Sequence, residues 1–217
     1  MNSRPAKKSP YRSQLRTDQA AATRALVLDA ATRLFVERGY AATSIDAIAE
    51  AAGVGRSTVF AAAGGKSWLL KTAYDRAIVG DDEPVPLLQR PAARRLFEMS
   101  DPGEIVAGYA RIIADGAERV STICEAIHRA AGCDPEVGEL WTEIGEQRLA
   151  GAAAFAKLIG QKGGLRNGLT VGRARDIIWI FNDPTLHHVL VGLRGWGREQ
   201  YRGWLTENLQ RQLLGLY

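Results

Sequence analysis

The stretch IDAIAEAAGVGRSTV, residues 45–59, binds this chain to one geometry more tightly than any other. Two helices that cross at close range around a tight turn make three steric demands. They need a small residue in the first helix, a residue tolerant of positive φ in the turn, and a branched apolar residue in the second. Ala49, Gly53 and Val59 stand at those three places, and Ile45, Ile48 and Val54 supply the rest of a small core. Arg56, Ser57, Thr58, Ala61 and Ala62 are left on the outer face of the second helix.

The flanking pattern is helical as well. Leu26, Val27, Ala30, Leu34 and Phe35 recur at three- and four-residue steps, which predicts an amphipathic helix from about Thr17 that Gly39 stops. Thr43 opens the next helix with Asp46 as an acidic capping-box partner, and Gly53 ends it. A third helix is predicted from about Arg56 to Ala63, broken by Gly64–Gly65. A fourth runs from Lys66 through Trp68, Leu69, Ala73 and Tyr74 to about Val79. The segment DDEPVPLLQRP then reads as a boundary between domains.

Charge divides the chain in the same place. Residues 1–80 hold twelve Lys/Arg against six Asp/Glu, a balance of +6, and residues 81–217 hold sixteen against eighteen, a balance of −2. A basic front beside a near-neutral rear predicts two domains with different partners, the first of them polyanionic. The first sixteen residues, MNSRPAKKSPYRSQLR, carry Arg4, Lys7, Lys8, Arg12 and Arg16 with no acid, and read as a basic arm. The organisation is therefore an arm over 1–16, a helix-turn-helix domain over 17–80, and a helical domain over 81–217.

Beyond residue 80 the periodic stretches are all helical, with breaks at Asp101–Pro102, Asp134–Pro135, QKGGLRNGL and Asn182–Asp183–Pro184. No alternating strand pattern appears, so the fold class is all-α. The apolar IIWIF and VLVGL stretches and the stripe of Trp204, Leu205, Leu209 and Leu213 need burial in a core or against a second subunit. Dimerisation is accordingly expected through helices at about 137–161, 173–193 and 198–214.

Other chemistry is poorly supported. Cys124 and His128 share a helical face, but two ligands are too few for a metal, and Cys124 and Cys133 fall on opposite faces of a helix and are not expected to pair. His187 and His188 are adjacent and point apart. There is no Ser/His/Asp set, carboxylate pair or phosphate-binding glycine loop, so neither an enzyme nor a cofactor is expected. No run approaches the roughly 18 apolar residues of a membrane span, and the N-terminus has no signal-like apolar stretch, which makes the cytoplasm the expected location.

The segment RALVLDAATRLFVERGYAATSIDAIAEAAGVGRSTVFAAAGGKSWLL resembles the N-terminal domain of the tetracycline-repressor (TetR) family, continuously over about residues 20–70. The stretch RGWGREQYRGWLTENL is similar to one branch of the same family. The resemblance implies a dimeric regulator of transcription, usually a repressor, whose C-terminal domain binds a small molecule and whose last two long helices build the dimer. It also implies double-stranded DNA with a palindromic operator as the partner.

Members of the family generally have Ser where this chain has Gly55 and Tyr where it has Phe60. They commonly have an aromatic or His at Ala62 and Phe at Ala63, and they keep Lys66, which meets phosphate. With Phe60 and three alanines, base-specific hydrogen bonding falls mostly on Arg56, Ser57 and Thr58, with Ala61 offering apolar contact and Trp68 a candidate to fill the space at Ala63. Thr43, Phe60, Lys66 and the arm residues Lys7, Lys8, Arg12 and Arg16 complete the expected DNA-binding set. Tyr109, Cys124, His128 and Trp179 are the expected ligand-pocket residues. A helical enzyme or carrier that kept a decayed head, and a regulator without a ligand, are the alternatives.

Overall fold

The computed structural model describes residues 10–79 and 89–216, with side chains for 17–78 and 89–216. Among the described residues every regular element is helical, and the chain divides into two compact units between Ala73 and Tyr74.

The first unit holds α1 (Pro10–Arg38), α2 (Ile45–Ala52), α3 (Arg56–Ala63) and the first turns of α4 (Lys66–Val79). Residues 10–16, expected in the arm, belong to α1, which begins at Pro10 and not at Thr17. A proline is well suited to a first turn because its missing N–H would have no helical partner there. Val27, Leu34 and Phe35 of α1, Ile48 and Ala49 of α2, and Val59 and Ala63 of α3 are buried, and the three helices pack on one another.

The turn that the sequence placed at Gly53 is a Schellman closure. Gly53 adopts φ 67°, its N–H reaches the Glu50 carbonyl at 3.1 Å, and the Val54 N–H returns to Ala49 at 3.0 Å. The start of α2 differs from the expected capping box. Thr43 is buried, and its hydroxyl donates to the Leu34 and Gly39 carbonyls at 3.1 and 2.8 Å, closing the end of α1. Ser44 therefore takes over as cap, accepting from the Ala47 N–H at 3.1 Å.

The second unit is built round α6 (Pro102–Ala131). It is packed by α5 (Pro91–Glu98), α7 (Pro135–Gln161), α9 (Pro184–His187) with the π-helical turn His188–Leu193 that continues it, and α10 (Arg198–Leu214). The helix α8 (Val171–Phe181) lies against α7 and α10. Pro102, Pro135 and Pro184 each stand at the start of a helix, behind Asp101, Asp134 and Asp183, whose carboxylates accept backbone N–H groups. These are the breaks the sequence announced.

A continuous core runs through Ile105, Tyr109, Ile113, Phe155, Ile159, Ile178, Tyr201, Leu205 and Leu209. Tyr201 is 1% exposed and its hydroxyl has no hydrogen-bond partner. A buried hydroxyl left in that condition costs about 1–3 kcal/mol, whereas an apolar group of the same shape does not. Tyr201→Phe is therefore expected to raise the melting temperature by about 2–4 °C, a gain of about 1 kcal/mol. A thermal melt showing loss of stability would mean that the hydroxyl has a partner worth keeping.

Candidate nucleic-acid interface

The eight residues of α3, RSTVFAAA, sort by burial into two faces. Val59 and Ala63 point into the core, while Arg56, Ser57, Phe60 and Ala61 are exposed and Thr58 and Ala62 are half-buried at the margin. The polar side chains, Arg56, Ser57 and Thr58, occupy the first three positions of α3, so only its N-terminal half carries polar chemistry. Gly55 precedes it as a cap with no side-chain hydrogen bond. The cost of Gly there relative to Ser is only a few tenths of a kcal/mol, so this departure from the family pattern leaves the helix intact.

Arg56 is not free on that face. Its Nη1 donates to Asp46 Oδ2 of α2 at 2.7 Å, and its guanidinium carbon lies 5.7 Å from the centre of the Phe60 ring. Phe60, 44% exposed, thus serves as a platform for a cation in the place where a tyrosine would offer a hydroxyl.

Lys66 is also engaged within the fold. Its ammonium donates to the Tyr40 carbonyl at 2.9 Å and sits 3.9 Å from the centre of the Tyr40 ring. Those contacts tie the start of α4 to the end of α1. Thr43, expected at the DNA surface, is buried with its hydroxyl given to α1, because the carbonyls of a helix end need donors more than a groove does. Trp68 does not fill the space beside Ala63: it is 41% exposed, with Ala63 itself buried. Lys7 and Lys8 lie outside the described residues, as do the side chains of Arg12 and Arg16.

In the second unit the four expected pocket residues occupy different surroundings. Tyr109 is buried with its ring 3.8 Å from that of Phe155, and burial raises its phenol above the ordinary value. Cys124 is fully buried, which pushes its thiol up to about 12 against the opposing pull of Arg148 and leaves it unreactive. His128 is exposed and stacks on Trp141 at 4.9 Å. Trp179 donates its indole N–H to Gly145 at 3.2 Å. An open groove of about 360 Å³ lies along α10, lined by Glu199, Arg202, Thr206, Gln210 and Leu216, and takes in none of the four.

Arg148, a residue the sequence reading passed over, lies against Trp179, and its charge is also felt at Tyr109 and Cys124. It stands on the buried stripe of α7 with Ile144, Ala152, Phe155 and Ile159, at helical spacing, which is the signal that was available. Its Nη2 donates to the Trp179 carbonyl at 2.9 Å, its Nε to Asn182 at 3.1 Å, and it pairs with Asp183 at 3.0 Å beneath the Trp179 ring. A second buried polar group was missed too: His187 Nδ1 and Ser121 Oγ are hydrogen-bonded at 3.1 Å, and burial lowers the imidazole toward its neutral form. Among the described residues, no group of three or more His, Cys, Asp or Glu is placed to hold a metal, and no helix is long and apolar enough to cross a membrane.

A short helix held across a Schellman turn, with its polar N-terminal half exposed on a basic unit, defines a helix-turn-helix DNA-binding regulator of transcription. Residues 27–73 match the model of the bacterial regulatory proteins of the tetR family.

Solved structures share the fold over most of the chain. NalD, the secondary repressor of the MexAB-OprM efflux pump of Pseudomonas aeruginosa, aligns at 20% identity and TM-score 0.68 over 92% of this chain and all of that one. A regulator from Saccharomonospora viridis in complex with choline aligns at 18% and 0.67, over 89% of this chain and 98% of its own. FadR of Bacillus subtilis with stearoyl-CoA aligns at 18% and 0.65, over 88% and 98%. No curated protein matches the chain by sequence.

Proposed function

We propose that the chain is a dimeric repressor whose two heads read a two-fold operator and whose C-terminal unit takes up a small molecule that releases it. The observation that carries the reading is the polar N-terminal half of α3, Arg56 and Ser57 exposed and Thr58 half-buried beside them, with these three as base-contacting residues and Phe60 and Ala61 as apolar contacts. The basic residues Lys7, Lys8, Arg12 and Arg16 add phosphate contacts.

Dimerisation is supported by the apolar residues Trp179, Ile180, Val189 and Leu193, which are exposed on α8 and the π turn and which a second copy would cover. An effector is supported by the ligands of the similar S. viridis and B. subtilis proteins, choline and stearoyl-CoA. It releases DNA only through its differential affinity for the non-binding state. The region round Arg148, with Tyr109, Cys124 and Trp179 in electrostatic reach, is where a bound molecule would act on α8.

Selection of bound sequences from random DNA, with light scattering on the free protein, tests the reading. A two-fold consensus and a particle of about twice the 23.6 kDa chain are expected. No enriched sequence, or a stable monomer at micromolar concentration, would sink it.

A further inference from the structure

We propose that Asp46 is a positioning residue for base recognition: it holds the Arg56 guanidinium so that it reads a guanine and does not settle on the nearest phosphate. The inference rests on the reading of α3 as the base-contacting helix.

An arginine at the first position of an exposed helix has many rotamers, and beside DNA the strongest anion in reach is backbone phosphate, which carries no sequence information. Here two contacts from different directions restrict it. Asp46, in the first turn of α2, takes one Nη1 donor at 2.7 Å, and the Phe60 ring lies 5.7 Å from the guanidinium carbon. A guanidinium has five N–H donors, so one given to Asp46 leaves a fork for the O6 and N7 of guanine.

The carboxylate acts a second time through its charge. It offsets the attraction of Arg56 for phosphate and repels the backbone itself, which weakens binding to every sequence while base contact is retained. The ratio of specific to non-specific binding rises. Arg56 is the sole charged residue in the sequence of α3, so its aim decides most of what that helix can discriminate.

The shift of the α2 cap from Thr43 to Ser44 makes this arrangement possible. With Ser44 capped on Ala47, the Asp46 carboxylate is turned across the motif to Arg56.

The test uses full-length protein, wild type and Asp46→Asn, Asp46→Glu and Arg56→Ala variants. Each is measured on the selected operator, on operators with each guanine replaced, and on random-sequence DNA across a salt series. For Asp46→Asn, discrimination at one guanine is expected to fall about tenfold. Binding to random DNA should tighten a few-fold, and the slope of log K against log salt should steepen by about 1.

Asp46→Glu, which keeps the carboxylate, should retain most of the discrimination. Arg56→Ala should lose the same preference, and adding Asp46→Asn to it should change discrimination no further. Unchanged discrimination in Asp46→Asn overturns the proposal. So does an equal loss on all sequences with a lowered melting temperature, the mark of a purely structural role. A wild type with no sequence preference at all overturns the reading of α3 and this inference together.

Discussion

Replacing Arg148 by Met is expected to destabilise the C-terminal unit by about 3 kcal/mol, at the lower end of the 3–5 kcal/mol found when one partner of a buried ion pair is removed. The lower end applies because Asp183 is 28% exposed and keeps water, and because its carboxylate continues to accept from the Thr185 N–H and hydroxyl. The greater part of the loss comes from the carbonyls of Trp179 and Asn182, which lose their donors at the end of α8.

Lysine retains the charge but presents a compact ammonium that cannot span two carbonyls and a carboxylate, so Arg148→Lys should recover only part of the stability. Asp183→Asn on the Arg148→Met background should recover some as well, since asparagine caps α9 about as well and no longer strands a charge. Chemical denaturation of the four proteins settles the point. An Arg148→Met variant within 1 kcal/mol of wild type would show that the clamp is ornamental. Because the clamp joins α8 to α9, which carry Trp179, Ile180 and the π turn with Val189 and Leu193, the same variant should dimerise more weakly on the proposed interface.

The steric set Ala49, Gly53 and Val59 was readable because it depends on neighbours along the chain: a small residue, a left-handed turn and a branched residue at fixed spacing allow one crossing. The bounds of α3 and α4 were readable for a similar reason, since Gly64 and Gly65 punctuate them. What could not be read is the choice of partner for side chains that have several. Thr43 could cap α2 or close α1, and the choice falls to the carbonyls of Leu34 and Gly39, set by how α1 ends against the turn.

Arg56 and Asp46 stand far enough apart in sequence that only the crossing of α2 and α3 makes them a pair. Arginine is usually a surface residue, and the place of Arg148 on an apolar stripe is the one sign in the sequence that this arginine is buried. Trp68 is a candidate to fill the space at Ala63 by its nearness in sequence, yet Ala63 is buried without it.

Removing residues 1–9 is expected to flatten the salt dependence of operator binding by about 2–5 units of log K per log salt. The segment contains Arg4, Lys7 and Lys8, three cations per chain and six in the proposed dimer. Each phosphate neutralised contributes about −0.9 to the slope, so full engagement of six gives about 5 and engagement of half of them between 2 and 3.

The alanines of α3 raise the share of affinity that must come from such contacts, because Ala61 and Ala62 offer no hydrogen bond and Phe60 no hydroxyl. Basic segments of this kind follow the backbone or enter an adjacent minor groove. Because α1 begins at Pro10, the shortened chain should start there and keep the helix together with Arg12 and Arg16. Arg56→Ala serves as the contrast: it should relax specificity at one base position and change the slope by no more than about 1. Binding is measured for the full and shortened chains from about 50 to 200 mM salt, a range over which a slope difference of 5 amounts to about 10³ in affinity. Equal slopes and equal affinities for the two chains would mean that the short third helix holds the operator without help from the basic segment.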